Sequence, residues 1–150
     1  TCALPILMHV FPKADIPVVQ LSLNGLKRWD EHLALAKRLA PLREQGVLIF
    51  ASGQIVHNFH EVDFSMGERG HPWAVVFEEE VHRVMTTEPQ NVLDLLAHRD
   101  YRRASPTPDH FLPLIYLAAL ASPEEPARAF FRNCSIGSSS LSSYAVGLAA

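Results

Sequence analysis

Ile16-Pro17-Val18-Val19-Gln20-Leu21-Ser22-Leu23 is an almost unbroken apolar run rich in β-branched residues, the pattern of a strand covered on both faces. Asn24-Gly25 ends it. Between Trp29 and Glu44, Leu35, Ala36, Leu39 and Leu42 recur at helical spacing while Lys37, Arg38 and Arg43 fall off that stripe, and Gly46 supplies the stop. Val47-Leu48-Ile49-Phe50 then reads as a second strand. A crossover of this length makes the two strands parallel. Residues 16–50 therefore read as a strand–helix–strand unit with its two strands parallel.

In open parallel sheets, ligand sites form just outside the carboxyl ends of the strands. Ser52-Gly53 lies past such an end, which places His57, in Gly53-Gln54-Ile55-Val56-His57-Asn58, at the rim of a crevice. Residues 59–70 read as a loop, long enough to suggest a covering role or disorder. Pro72 opens a helix carrying Trp73, Val76, Phe77, Val81, Val84 and Met85 on one face, with Glu78, Glu79 and Glu80 read as solvated. Asn91–Leu96 begins a shorter helix. Arg99, Arg102 and Arg103 follow as candidates for an anionic substrate group, although a solvated polar loop is the ordinary reading.

Thr107-Pro108-Asp109-His110 has the chemistry of a helix start, with Thr as N-cap and Pro at the first position. Positive potential in a first turn disfavours imidazolium, so His110 stays neutral there, and a neutral ring can ligate a metal. The helix runs on to Leu120. Residues 3–10 fit a helix end or a short strand, and residues 129–134 fit a strand. The serine-rich stretch after Cys134 has the composition of a flexible tail, but its interleaved Ile136, Leu141, Tyr144 and Val146 argue for an ordered closing segment.

The chain has 150 residues, 48% of them hydrophobic, enough for a single α/β unit with a sizeable core. A formal charge of -3 with scattered basic residues gives no footprint for nucleic acid or an anionic membrane surface. No apolar run approaches the roughly 20 residues of a membrane span. Two cysteines, Cys2 and Cys134, provide neither a disulfide framework nor zinc-finger spacing, which suggests a reducing, cytoplasmic setting. The first ten residues have no signal-peptide pattern and read as a start in mid-element. Thr1 as an amino-terminal nucleophile is an alternative carried by that residue alone.

Four blocks in order, Ala14–Ser22, Ser52–Asn58, Pro106–Leu114 and Gly137–Ser142, resemble the class III extradiol ring-cleavage dioxygenases, in particular the 4,5-DOPA dioxygenase-like branch. The resemblance implies the carboxyl-terminal part of that α/β fold, a mostly parallel sheet flanked by helices, and a non-haem Fe(II) centre, sometimes occupied by zinc in bacterial members. It implies a catechol-type substrate opened beside its hydroxyls by O2. The resemblance matches His57 to the acid/base histidine and to a neighbour of the metal, and His110 to a metal ligand. The His-Gly-Ser-Pro-like and Ser-Ala-His-Trp-like blocks of the family's amino-terminal metal-binding half are absent. The chain is thus expected to need that half, or a partner chain, and an oligomer is possible. The alternative is a non-catalytic regulatory or interaction subunit derived from the family.

Overall fold

The computed structural model describes residues 3–148; Thr1 and Cys2, including the nucleophile alternative, lie outside the described residues. The described residues form six α-helices: α1 (Ala3–Val10), α2 (Trp29–Lys37), α3 (Ala40–Arg43), α4 (Pro72–Thr87), α5 (Tyr101–Ala104) and α6 (Leu112–Leu120). Four short strands follow: β1 (Arg128–Phe131), β2 (Cys134–Ser135), β3 (Ser139–Ser140) and β4 (Ser143–Ala145). Single-turn 3-10 segments at Phe59–Glu61 and Phe64–Met66, and a longer one at Pro89–Ala97, complete the elements. No helix among the described residues is long and apolar enough to cross a membrane.

The expected α4 forms as its period requires. Pro72 occupies the first turn, where a missing N–H costs nothing, and Ala74, Phe77, Val81, Val84 and Met85 face the core. Helix α6 is apolar on every side and correspondingly almost wholly buried, packing against α2 and the 89–97 segment. Trp29, Phe77, Tyr101 and Phe111 meet between these helices at ring-centroid separations of 5.3–6.3 Å. His32 is a structural histidine, buried with Nδ1 3.0 Å from the Tyr116 hydroxyl and Nε2 3.1 Å from the Asn24 carbonyl.

The described residues depart from several expectations. The mostly parallel sheet is not formed by the described residues: β1 pairs with β4 and β2 with β3, both antiparallel, and the one parallel contact is an isolated bridge between Gly70 and Gly137. Residues 16–23 and 47–50 have no ladder, and Val19 is 94% and Leu48 69% exposed. An apolar run becomes a strand only beside another strand, and none stands next to either segment among the described residues. The strand expected at 129–134 is divided between β1 and β2. Val76, expected on the buried stripe of α4, is 45% exposed.

Residues 59–70 are an ordered strap rather than a disordered loop. Asp63 N–H donates to Ile136 O at 2.9 Å, Ile136 N–H to Gly67 O at 2.6 Å, and Gly137 N–H to Arg69 O at 2.9 Å. The tight turn they grip has both Ile136 and Gly137 at positive φ, 44° and 78°, an unusual conformation for a β-branched residue. The serine-rich stretch is correspondingly the buried part of this wall, with Ser138, Ser139 and Ser140 all nearly inaccessible.

Glu78 is not on a solvated face. It is 4% exposed and accepts from Arg132 Nη2 at 2.6 Å and from Ser142 Oγ at 2.5 Å, tying α4 to the strands. Burial pushes its carboxyl up, but the hydrogen bonds from Arg132 and Ser142 and the Arg132 charge outweigh burial and hold it below the usual carboxylate range. The stability it confers is complete above its ordinary value and is lost as pH falls through the lower folded one. Glu78→Ala is expected to cost about 2–3 kcal/mol at neutral pH, less than a fully buried pair because Arg132 keeps some solvent contact. Urea denaturation at pH 7 and pH 3 checks this, and the difference from wild type should shrink at the lower pH.

Candidate active site

Gln54 joins the two histidine-bearing segments. Its backbone N–H donates to the carbonyl of His110 at 2.9 Å, its own carbonyl lies 3.1 Å from His57 Nδ1, and its side-chain Nε2 donates to Ser139 Oγ at 2.6 Å. The residue before it has to be small. A Cβ at Gly53 would collide with the His110 carbonyl oxygen and lie 2.9 Å from Pro113 Cγ. The Ser-Gly-Gln sequence thus allows backbone to approach backbone at the site.

The two histidines are brought together, with ring centroids 4.7 Å apart and planes inclined by 45°. His57 is 4% exposed, its N–H donates to Ala104 O at 2.8 Å, and an isolated bridge connects it to Ser139. A carbonyl oxygen can only accept, so the contact with Gln54 puts the proton of the neutral ring on Nδ1. Nε2 is then a bare lone pair, and the hydroxyl of Thr107, 3.2 Å away, donates to it. Burial, reinforced by the neighbouring His110, lowers the pKa of His57 below its ordinary value, so the ring is neutral at pH 7.

His110 lies nearer the surface, with its side chain 35% exposed and Nε2 3.5 Å from Asp109 Oδ2. Hydrogen bonding by the Thr107 side chain holds the Asp109 carboxyl below its usual range. The single hydroxyl proton of Thr107 therefore has two acceptors nearby. Donation to Nε2 suits the neutral ring of His57 and donation to Asp109 suits the protonated one.

The expected helix start is displaced. Pro108 O accepts from Phe111 N–H at 3.1 Å and Leu112 N–H at 2.8 Å, and α6 begins only at Leu112 with Phe111 as N-cap. His110 sits in the turn before the helix because Pro113 takes the first-turn position that suits proline. Thr107 is a partner of His57 rather than an N-cap, a role that the sequence reading missed. Its flanking prolines were the available signal, since they hold the backbone on both sides.

The basic residues separate into distinct settings. Arg99 pairs with Asp100 and Arg103 with Glu61, whereas Arg102 lines a cavity of about 380 Å³ with Lys27, Trp29, Tyr101 and Pro108. A non-haem iron of the facial type needs three protein ligands with open positions beside them. Among the described residues, no three His, Cys, Asp or Glu side chains group so as to hold a metal, and both ring nitrogens of His57 already have protein partners. The described residues by themselves do not fit a complete metal centre.

Comparison with known proteins gives the chain a family. Residues 2–147 match the family described as the catalytic LigB subunit of aromatic ring-opening dioxygenase. The chain belongs to that family, the class III extradiol dioxygenases, within the DOPA dioxygenase-like branch. It is 34% identical over 146 residues to the 4,5-DOPA dioxygenase extradiol of Escherichia coli K12, covering 95% of this chain and 54% of that protein. It is 35% identical over 111 residues to the enzyme of the same name from Beta vulgaris, covering 72% of this chain and 41% of the other. The crystal structure of an uncharacterized protein from Escherichia coli K12 superposes with a TM-score of 0.84 at 34% identity, over 93% of this chain and 59% of that one. This likeness supports the α/β class, and the chain spans about half the length of these relatives.

Nitrogen-detected NMR of histidine-labelled protein is expected to show His57 as a single Nδ1–H tautomer that titrates below the ordinary histidine value. The fold favours its neutral form, so the stability contributed by this ring is present above that ordinary value and is lost as pH falls through the lower folded one. A ring carrying its proton on Nε2 at neutral pH would contradict the assignment.

Proposed function

We propose that this chain forms one wall of an extradiol dioxygenase that opens a catechol-type ring with O2, the other wall coming from an amino-terminal half or a partner chain. The observation that carries the reading is the contact between neutral, buried His57 and His110 in a chain of this family. In this proposal His57 is the acid/base residue. Its Nε2 accepts a proton from a catechol hydroxyl, with the ring oriented by Gln54 and the displaced Thr107 hydroxyl free to turn away. His110 is the chain's proposed metal ligand, with His57 as its neighbour, in an Fe(II) or zinc centre completed from outside the described residues.

The uncovered apolar segments support the same proposal. Residues 16–23 and 47–50 would enter a mostly parallel sheet once strands from the remaining half lie beside them, as an exposed apolar surface of this extent favours. A reducing cytoplasm remains the proposed setting. Arg102, facing the cavity beside Trp29 and Tyr101, is the proposed partner for a substrate carboxylate.

The complete assembly is expected to consume one O2 per catechol and produce a ring-opened semialdehyde, while the chain alone neither binds iron tightly nor turns over. His57→Ala should lower kcat by about 10²–10⁴-fold while sparing substrate binding. An assembly that holds its metal but shows no turnover would point to the non-catalytic subunit instead. Arg102→Ala is expected to raise KM for a carboxylated catechol about tenfold or more, the value of a charge-assisted hydrogen bond, and to leave unsubstituted catechol unaffected. Parallel steady-state kinetics on the two substrates checks this.

A further inference from the structure

We propose that the Glu61–Arg103 ion pair, acting through Asn58, holds the Thr107 hydroxyl against His57, making Glu61 and Arg103 positioning residues for the ring-opening reaction. This rests on the reading of His57 as the acid/base group.

Arg103 meets Glu61 as a fork. Its Nε lies 2.8 Å and 3.0 Å from the two carboxylate oxygens, its Nη2 also contacts Oε2, and the guanidinium lies 4.5 Å from the centroid of the Trp73 ring. Such a planar arrangement fixes direction as well as distance. Asn58, next to His57, joins this pair to the site. Its Nδ2 donates to Glu61 Oε1 at 3.1 Å and to the Arg103 carbonyl at 2.9 Å, while its Oδ1 accepts from His60 N–H at 3.1 Å. Both amide protons and the amide oxygen are thereby engaged.

The neighbouring backbone closes the circuit. His57 N–H donates to Ala104 O at 2.8 Å, so residues 57–58 and 103–104 are joined both by backbone and by the Asn58 side chain. From Ala104 the chain has little freedom before Thr107. Ser105 is buried, its N–H donates to Tyr101 O at 2.7 Å and its Oγ to Thr107 O at 3.3 Å, and prolines flank Thr107. A shift at Arg103 is therefore carried to the hydroxyl that faces Nε2.

A purely stabilising role is a poor account of the pair. Its side chains are 49% and 30% exposed, a setting in which an ion pair contributes little to global stability. What it adds in this position is direction.

The test uses the complete, active assembly with Glu61→Gln, Arg103→Ala, the double variant, and the charge swap Glu61→Arg/Arg103→Glu. Each single variant is expected to lower kcat about tenfold with KM for catechol within about twofold, and the double variant to be no worse than either, since residues acting as a unit are not additive. The swap should recover most of the loss. Nitrogen-detected NMR of the same proteins should show the His57 Nε2 resonance shifting as its hydrogen bond from Thr107 is lost in the single variants, with the proton still on Nδ1 against the Gln54 carbonyl. Unchanged kcat in folded variants, losses that multiply, or a failure of Arg103→Ala to fold would each overturn the proposal in favour of a passive or purely structural role. If the wild-type assembly opens no ring, the reading of the site fails, and the His57 Nε2 resonance alone decides the positioning claim: an Nε2 resonance unchanged in the single variants overturns it.

Discussion

Gln54 is the residue on which the candidate site depends, because three different groups of it reach three different segments. Its N–H holds the His110 carbonyl, its carbonyl faces His57 Nδ1, and its side-chain amide reaches Ser139. Two of these contacts are made by the main chain, so they survive many side-chain changes at position 54 provided that Gly53 remains without a Cβ. The consequence is chemical as well as geometric. A carbonyl at Nδ1 sets the tautomer, and the tautomer puts the lone pair at Nε2, on the side where Thr107 stands.

Behind the histidines, the wall is made stiff by polar groups that are all engaged. Ser138 Oγ donates to Asn58 O at 2.6 Å, and Ser140 N–H donates to Val56 O at 2.9 Å. The serines suit this position because they satisfy neighbouring backbone groups without adding bulk. Glu78 secures the same wall from the helix side. Its carboxylate gathers Arg132 and Ser142, so α4 and the closing strands move together. A buried ion pair of this kind is weak evidence for stability, since a well-packed apolar replacement can do as well. Here it orients the strands that carry the serines.

The sequence was most legible where a local pattern and its structural outcome coincide. Helix α4 follows from Pro72 and an apolar stripe of 3.6-residue period, and the closeness of His57 to His110 follows from blocks that resemble one family. It was less legible where a residue's partner is distant. Thr107 before proline has the same signature whether its hydroxyl caps a helix or meets a ring from another segment, and only the placement of Pro113 separates the two. Glu78 is indistinguishable from Glu79 and Glu80 by composition, and its burial depends on Arg132 and Ser142 far along the chain. Residues 16–23 show a third kind of limit. An apolar run reports that a segment favours burial, but it does not contain the strand that would bury it.

The uncovered segments and the histidine site are mechanically connected. Only Ala51 and Ser52 separate Phe50 from Gly53, so a strand formed by residues 47–50 would end at the Gly53–Gln54 contact with His110. Under the proposed function, pairing that strand would restrict the backbone leading into Gln54 and favour the arrangement in which its N–H and carbonyl point to their partners. The elements behind the site do not include residues 47–50, since α4 and the closing strands pack through residues beyond position 53 and α6 packs against α2 and the 89–97 segment. Covering the apolar segments and fixing the site would then be coupled through one short connection. The core behind the wall lies within this chain, and under the proposed function the backbone at Gln54 would be further restricted once the adjoining strand acquires neighbours.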